Sequence, residues 1–244
     1  KFETTFAGGV GLRGDYSAIF DYAMKVSSVD ESNLNQSLII VTPNTIDYGG
    51  ITEMWEDGSA IAFCPLSEDT YPYDARGIIQ HEAGGHGFGK LGDEYIYHNG
   101  FIEFCCPLDF ATLNYGKSLG WYENLSLTGK MHEVPWSHLI FDDRYSDVVD
   151  IYEGGFKHAR GVFRSEQNSC MNNNISYFSA ISREAIVKRI MEYAGESYSF
   201  EKFVENDKRD AVNSLSRSAE RLGVTVRGNQ YAPRIHKGKP DILK

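Results

Sequence analysis

Residues 81–95 read His-Glu-Ala-Gly-Gly-His-Gly-Phe-Gly-Lys-Leu-Gly-Asp-Glu-Tyr, and this stretch decides how the rest of the chain is interpreted. It contains two histidines, a glutamate beside the first of them, and an acidic pair. Imidazole and carboxylate groups bind zinc, and a catalytic zinc site combines three protein ligands with an open position for water. A nearby carboxylate can accept a proton from that water. The stretch therefore predicts a Zn²⁺ site with His81 and His86 as ligands and Glu82 as the general base.

The spacing of the two histidines is unusual, because the familiar helical motif HExxH places them four residues apart. Here they are five apart. On a regular α-helix, side chains five apart diverge by about 140°, against about 40° for side chains four apart. A π-bulge would restore a common direction, and Gly84 and Gly85 accept the backbone angles that a bulge needs. We therefore predict a bulge near residues 83–85.

The glycines after the second histidine argue against a long helix beyond it. Gly87, Gly89 and Gly92 predict a turn that returns Asp93 or Glu94 to the metal, and both residues are candidates for the third ligand. The alternative interpretation of the stretch is a glycine-rich loop with histidines and ordinary surface charges.

The composition predicts a water-soluble globular protein with enough apolar residues for a core. The chain has 244 residues, 41% of them hydrophobic, and a formal net charge of −10. This charge disfavours nucleic acid or an anionic membrane as a partner. No apolar run approaches the length needed to span a bilayer. The oligomeric state is left open.

The chain begins Lys-Phe-Glu, without a Met or a signal-peptide pattern, and we expect it to be a processed or trimmed product. Its four cysteines do not form a CxxC motif or a disulfide scaffold. One long-range disulfide or free buried thiols are both compatible with their spacing. The cysteines are Cys64, Cys105, Cys106 and Cys170.

The first half of the chain predicts two helices and two strands. Residues 17–26 form an apolar helical stripe, with Ser17 or Asp15 as the cap, and Asp74 caps the helix that carries the histidines. The apolar run at 38–42 predicts a strand buried on both faces. A second strand is expected at 59–64. Either that strand, as a sheet edge, or the loop Tyr48–Gly50 is a candidate for binding a substrate backbone.

The second half predicts a helix after Pro107 that ends at Gly120, a loop-rich region at 121–145 and a strand at 147–152. A further helix is expected at 182–194, capped by Ser182 and ended by Gly195, and another at about 206–222. The basic tail 227–244 is expected to be loosely ordered. Lone histidines in loops are seldom metal ligands, so His98, His132 and His138 are not assigned to the site.

The segment 81–95 resembles the active-site segment of the bacterial immunoglobulin A peptidase family of zinc metallopeptidases. The resemblance extends, in order, over roughly residues 38–190. Its supporting matches are Tyr-Gly-Gly at 48–50, Glu-Gly-Gly at 153–155, Gly-Val-Phe-Arg-Ser at 161–165, Cys-Met-Asn at 170–172 and Tyr-Phe-Ser-Ala-Ile-Ser-Arg-Glu-Ala-Ile at 177–186.

This resemblance implies an α+β fold, in which a metzincin-like zinc peptidase domain has a twisted mixed sheet, an active-site helix and a methionine turn. Residues 1–244 would form a single metallopeptidase catalytic domain, with Met171 in the methionine turn. Met171 also attracts notice by itself, since it lies in a polar, Asn-rich segment. The implied activity is hydrolysis of peptide bonds in extracellular proteins by a secreted or cell-surface bacterial enzyme.

The chain departs from the family pattern at two points. Better-known members have HExxH, and metzincins place a ligand six residues after the second histidine, where this chain has Gly92. The family pattern and the short side chain that suits a tight turn favour Asp93 over Glu94 as the third ligand. Family members often carry a further N-terminal β-domain, which we expect this chain to lack.

Two other functions are compatible with the motif. One is a surface module that binds glycans or proteins and has a structural or vestigial metal site, and the other is a zinc hydrolase that does not act on peptides. A structural zinc site normally has four protein ligands, whereas hydrolysis needs an open position.

Overall fold

The structure is a computed structural model that describes residues 1–207 and 233–242, and it shows an α+β protein with mixed sheets. A short 3₁₀ helix, Leu34–Gln36, and a π-helix, Gln80–Phe88, accompany the regular elements. The strands are β1 (Thr5–Phe6), β2 (Leu12–Arg13), β3 (Leu38–Val41), β4 (Ile51–Trp55), β5 (Ala60–Phe63), β6 (Ile96–Phe101), β7 (Leu125–Ser126), β8 (Tyr152–Gly155), β9 (Lys157–Arg164) and β10 (Arg234–His236). The helices are α1 (Tyr16–Ala23), α2 (Ala75–Ile79), α3 (Ile102–Cys105), α4 (Pro107–Ser118), α5 (Ser137–Ile140), α6 (Cys170–Asn173), α7 (Ala180–Tyr193) and α8 (Phe200–Asn206).

The chain divides into two compact units. The first unit comprises Lys1–Phe88 and Asn229–Lys244, and the second comprises Gly89–Gly228. None of the helices that the structure describes is both long enough and apolar enough to cross a membrane.

The first unit contains a four-stranded sheet in the order β10-β4-β5-β3. β10 is parallel to β4, β4 is antiparallel to β5, and β3 is parallel to β5. Ile61 and Phe63 of β5 pack with Ile19 and Phe20 of α1 on one face of this sheet. On the other face, Ala62 packs against the helical segment that contains the histidines. The central strand β5 is therefore buried on both faces.

The run 38–42 does form a strand, β3, but the prediction that this strand is buried on both faces is wrong. β3 lies at one end of the strand order, and its Leu38 and Ile40 are 40% and 42% exposed. The predicted strand at 59–64 exists as β5, but β5 lies between β4 and β3 and is not a sheet edge. An apolar run specifies a strand without specifying its place in the sheet, which explains both errors.

The basic tail was expected to be loosely ordered, yet Arg234–His236 forms β10 and pairs with β4. Its side chains surround Glu53, which is fully buried. Arg234 Nη1 lies 3.2 Å from Glu53 Oε1, and His236 Nε2 lies 2.8 Å from Oε2. The Tyr16 hydroxyl donates to the same carboxylate at 2.9 Å. A buried carboxylate needs such partners, so Glu53 fixes the position of the tail.

In the second unit the central strand is β9. It pairs in parallel with β6 and antiparallel with β7 and β8. The predicted strand at 147–152 is wrong over most of its length, because β8 begins only at Tyr152. The Asp150 carbonyl accepts a hydrogen bond from the Trp136 indole at 2.9 Å, and the Asp150 N–H donates to the Ser165 carbonyl. The N–H and carbonyl groups of Asp150 therefore bond to a side chain and to a single neighbouring residue, and they do not extend the ladder of β8.

The helical predictions hold better than the strand predictions. α1 is capped by Asp15, whose carboxylate accepts the Ala18 N–H at 3.0 Å, and α4 follows Pro107 as expected. At α7, Ser182 is not the cap, because the helix already begins after Ser179. The predicted helix at 206–222 falls largely outside the described residues; within them, α8 ends at Asn206.

Candidate metal centre

The segment that carries the histidines begins as an α-helix and continues as a π-helix. Asp74 is the N-cap of α2, since its carboxylate accepts the Gly77 N–H at 3.2 Å. The π-helix then spans Gln80–Phe88 and contains the entire HExxxH sequence. The predicted bulge near residues 83–85 is confirmed, and it extends over nine residues.

The π-helix brings the two histidines together. In a π-helix, hydrogen bonds join residues five apart, so side chains at that spacing approach one another. His81 Nε2 lies 3.0 Å from His86 Nε2, and the rings meet edge to face. Each residue is only 2% exposed. The alternative of a regular helix, with His86 directed away from His81, does not occur.

The distance between the two nitrogens fits a shared metal ion. Two imidazole nitrogens bound to one tetrahedral zinc, each at about 2.0–2.1 Å, are about 3.3 Å apart. The observed 3.0 Å is close to this value. The pair is compatible with zinc on the chemistry of its donors as well, because neutral imidazole is a preferred zinc ligand.

Glu82 is buried beside this pair and held from two sides. The Thr52 hydroxyl, on β4, lies 2.9 Å from Glu82 Oε2 and 2.8 Å from the Glu82 carbonyl oxygen. Gly50 lies against the same side chain, and a Cβ atom at Gly50 would be only 2.8 Å from Glu82 Oε1. The Gly50 N–H donates to the Val10 carbonyl at 3.0 Å, which fixes this glycine. Glu82 is therefore a preorganised carboxylate.

The two candidates for the third ligand, Asp93 and Glu94, lie near the start of the second unit and are fully buried. Glu94 is engaged by its own neighbours. Its Oε1 accepts from Asn124 Nδ2 at 2.9 Å, and its Oε2 accepts from the Ser169 hydroxyl at 2.5 Å. Its N–H donates to the Met171 carbonyl at 2.8 Å. These contacts give Glu94 a structural role in the second unit.

Asp93 is the other buried carboxylate of the pair. Its main-chain carbonyl accepts the Phe156 N–H at 2.7 Å. Burial, and then the negative charge of Asp93, raises the pKa of the Tyr122 hydroxyl. The Asp93 side chain therefore lies near the buried hydroxyl of Tyr122.

Met171 is a core residue of the second unit. It lies in α6 and packs with Leu91 and Ala185. Ser169 caps α6, since its hydroxyl accepts the Met171 N–H at 3.1 Å. The polar sequence around Met171 had marked it as unusual for a core position, but the neighbouring asparagines are themselves buried. Its side chain is thus buried in a small apolar cluster, although the residues next to it in the sequence are polar.

The histidines that were not assigned to the site have other contacts. His138 Nε2 lies 2.7 Å from Glu184 Oε2, and the exposed His132 stacks on Phe141. His98 is exposed and pairs in register with His158 across β6 and β9.

The sequence did not reveal a second cluster of metal-binding side chains, Cys105, Cys106 and His158. All four cysteines are free thiols, with Cys64 and Cys170 buried and Cys105 exposed. Cys105 Sγ lies 3.5 Å from His158 Nδ1, and His158 Nε2 lies 2.9 Å from Asp109 Oδ2. Burial lowers the pKa of His158, against the opposing effect of Asp109. The sequence shows that Cys105 and Cys106 are adjacent, but it does not show that His158, which is distant in sequence, lies beside them.

Comparison with known proteins adds no family assignment: no protein-family model matches the chain, and no curated protein matches it either.

Proposed function

We propose that the chain is a zinc-dependent endopeptidase in which His81, His86 and Asp93 hold Zn²⁺ and Glu82 is the general base. The observation that carries this proposal is the convergence of two buried imidazoles at 3.0 Å, next to a buried carboxylate in the same π-helix. A loop with incidental histidines would not bury both rings in contact. The resemblance of residues 81–95 to the immunoglobulin A peptidase family supports the same function.

Asp93 is the preferred third ligand. It follows the last residue of the π-helix, Phe88, by five positions, so the chain keeps it within about 17 Å of that residue. Both carboxylate oxygens of Glu94 already accept hydrogen bonds from Asn124 and Ser169. Recruiting Glu94 to a metal would leave these donors unsatisfied, which costs about 1–3 kcal/mol for each buried group.

Zinc held by His81, His86 and Asp93 would supply a Lewis acid that activates water and polarises a carbonyl group. The protein supplies the proton transfers. Glu82 takes a proton from the attacking water and later delivers it to the leaving amine. The Thr52 hydroxyl and the close approach of Gly50 hold the carboxylate in one position, which reduces the reorganisation needed for each transfer.

An extended peptide substrate fits the exposed edge strand β3. In the described part of the sheet, β3 is hydrogen-bonded to β5 only, so its outer edge is available for strand addition. Leu38 of β3 also contacts the π-helix, since a Cβ at Gly87 would lie 2.8 Å from Leu38 Cδ1. A peptide paired with β3 would run close to the histidines. This strand replaces β5, which is central, as the proposed substrate-binding edge.

The substrate class is proposed to be extracellular proteins, and the location secreted or cell-surface, on the basis of the family resemblance alone. A methionine turn formed by Met171, and a metzincin-like domain, belong to the same proposal.

The test combines metal analysis with an assay on unfolded protein substrates. The wild-type chain should retain one zinc at the histidine site after dialysis and cleave the substrate. The Glu82→Gln variant should keep this zinc and lose activity, whereas His86→Ala should lose both. Zinc retention that His86→Ala abolishes, without any cleavage by the wild type, would refute the peptidase and favour a structural site. Equal cleavage by wild type and Glu82→Gln would exclude Glu82 as the base.

A further inference from the structure

We propose that Cys105, Cys106 and His158 form a second metal-binding site, within the second unit, that takes a thiophilic divalent cation such as zinc. The three donor atoms, two sulfurs and one imidazole nitrogen, all lie within 4.8 Å of one another. Thiolate sulfur and imidazole nitrogen are the preferred ligands of zinc. This site is independent of the proposed peptidase function.

The distances suit a tetrahedral ion. With zinc–sulfur and zinc–nitrogen bonds of about 2.3 and 2.0 Å, sulfur and nitrogen on one tetrahedral ion are about 3.5 Å apart. The observed distance from Cys105 Sγ to His158 Nδ1 is 3.5 Å. The two sulfurs are 3.0 Å apart, against about 3.8 Å on a tetrahedral ion. Cys105 is exposed, so a small side-chain rotation provides the difference.

The residues around His158 orient it as a ligand. The imidazole is fully buried, and Asp109 Oδ2 lies 2.9 Å from Nε2. Because a carboxylate only accepts hydrogen bonds, it selects the tautomer with hydrogen on Nε2 and a lone pair on Nδ1, towards the sulfur. Lys157 Nζ fixes the other Asp109 oxygen at 3.1 Å. Carboxylate–histidine pairs of this kind are the usual support of histidine ligands in metal sites.

The site would join elements that are otherwise distant in sequence. Cys105 ends α3, Cys106 precedes α4 without providing a side-chain cap, and His158 lies in β9. Binding releases one proton from each thiol to solvent, and the two thiolates then balance the charge of the ion. Three protein ligands leave a fourth position open, and the exposure of Cys105 makes it accessible to water.

The experiment uses the full chain, reduced and stripped of metal, and titrates it with Co²⁺ as a coloured substitute for zinc. A thiolate-to-cobalt charge-transfer band in the near ultraviolet should appear and should reach its maximum by two equivalents per chain, one for each proposed site. The band reports the cysteine site alone, because a site of histidine and carboxylate ligands has no sulfur to produce it. The Cys105→Ser/Cys106→Ser double variant should lack the band. His86→Ala should retain it, which separates this site from the proposed peptidase centre.

Two further variants test the geometry without removing a ligand. Asp109→Asn should weaken Co²⁺ binding by about 10–100-fold, as expected when the partner of a ligating histidine is altered. The matched control is His132→Ala, which removes an exposed histidine stacked on Phe141 and should leave the titration unchanged. Zn²⁺ should also protect Cys105 and Cys106 from a thiol reagent.

The proposal is overturned if reduced wild-type protein, with the thiols of Cys105 and Cys106 both reactive, gives no charge-transfer band. It is equally overturned if the band survives the double cysteine variant, since Cys64 or Cys170 would then be the source. Unchanged Co²⁺ affinity in Asp109→Asn would contradict the assigned role of the His158 imidazole.

Discussion

Replacing Gly50 with alanine tests whether the position of Glu82 depends on the absence of a side chain at residue 50. The added Cβ would lie 2.8, 3.0 and 3.2 Å from Oε1, Cγ and Cδ of Glu82. Contacts this short force the carboxylate to move, and overpacking of this kind costs about 1–3 kcal/mol. The φ angle of Gly50 is not positive, so the backbone itself accepts alanine.

The matched control is the same substitution in a Glu82→Ala background. The three atoms nearest to the added Cβ all belong to Glu82, so truncating that side chain removes the clash. Gly50→Ala should then stabilise the protein by about 0.4–1 kcal/mol, because alanine reduces the entropy of the unfolded chain. The two backgrounds should therefore differ by about 1.4–4 kcal/mol in the effect of one methyl group.

Urea unfolding of the four proteins of this cycle measures the difference. If Gly50→Ala has the same cost with and without the Glu82 side chain, the proposed contact does not determine the position of the carboxylate. In the peptidase assay, Gly50→Ala should lower kcat by about 100-fold, as a displacement of about 1 Å does in a preorganised site. Zinc content should remain unchanged, since neither histidine is touched.

Three further predictions follow from buried carboxylates and from the helix cap. Burial raises the pKa of Glu166 to about 7, so its contribution to stability is present below pH 4.5 and is lost as the pH rises through 7. Between pH 4.5 and 8, wild type should lose about 3 kcal/mol relative to Glu166→Gln, measured by urea unfolding; a relative gain would contradict this. In a Cys105→Ser/Cys106→Ser background, which removes the second proposed zinc site, Asp93→Ala should abolish zinc retention after dialysis, whereas Glu94→Gln should retain zinc and destabilise the protein by about 1–3 kcal/mol; the reverse pattern would exchange their roles. Asp74→Ala should cost about 1 kcal/mol by removing the N-cap, and an unchanged urea midpoint would show that the cap is not needed.

The sequence predicted the local geometry of the histidine segment because the signal is local. The five-residue spacing of His81 and His86 conflicts with a regular helix, and the glycines between them indicate how the conflict is resolved. Helix boundaries were similarly accessible at Asp15, Asp74 and Gly120, where a cap or a positive φ is a property of one residue and its near neighbours.

What the sequence did not predict depends on pairing between distant segments. The apolar residues of β3 and β5 are alike, and only the strand order shows that β3 is the edge. The cap of α7 was misplaced because Glu166, fourteen residues away, accepts the Ala180 N–H at 2.6 Å and lets the helix begin earlier.

The cluster of two cysteines with His158 was missed for the same reason. Cys105 follows β6 closely in sequence, and His158 lies in β9, so the parallel pairing of β6 with β9 brings them together. No local sequence pattern around residue 158 predicts the contact between His158 and Cys105. Likewise, the contacts that engage Glu94 come from residues 30 and 75 positions away.

The pairing of β10 with β4 has a consequence for the biosynthesis of the first unit. Glu53 is buried between Arg234 and His236, which are more than 180 positions away in the chain. Before those residues leave the ribosome, the Glu53 carboxylate lacks two of its partners. A buried charge without compensation is strongly destabilising. The sheet that supports the histidine segment therefore gains its fourth strand only after the entire second unit has been synthesised. A nascent chain stalled before residue 234 would present an incomplete sheet to chaperones and proteases.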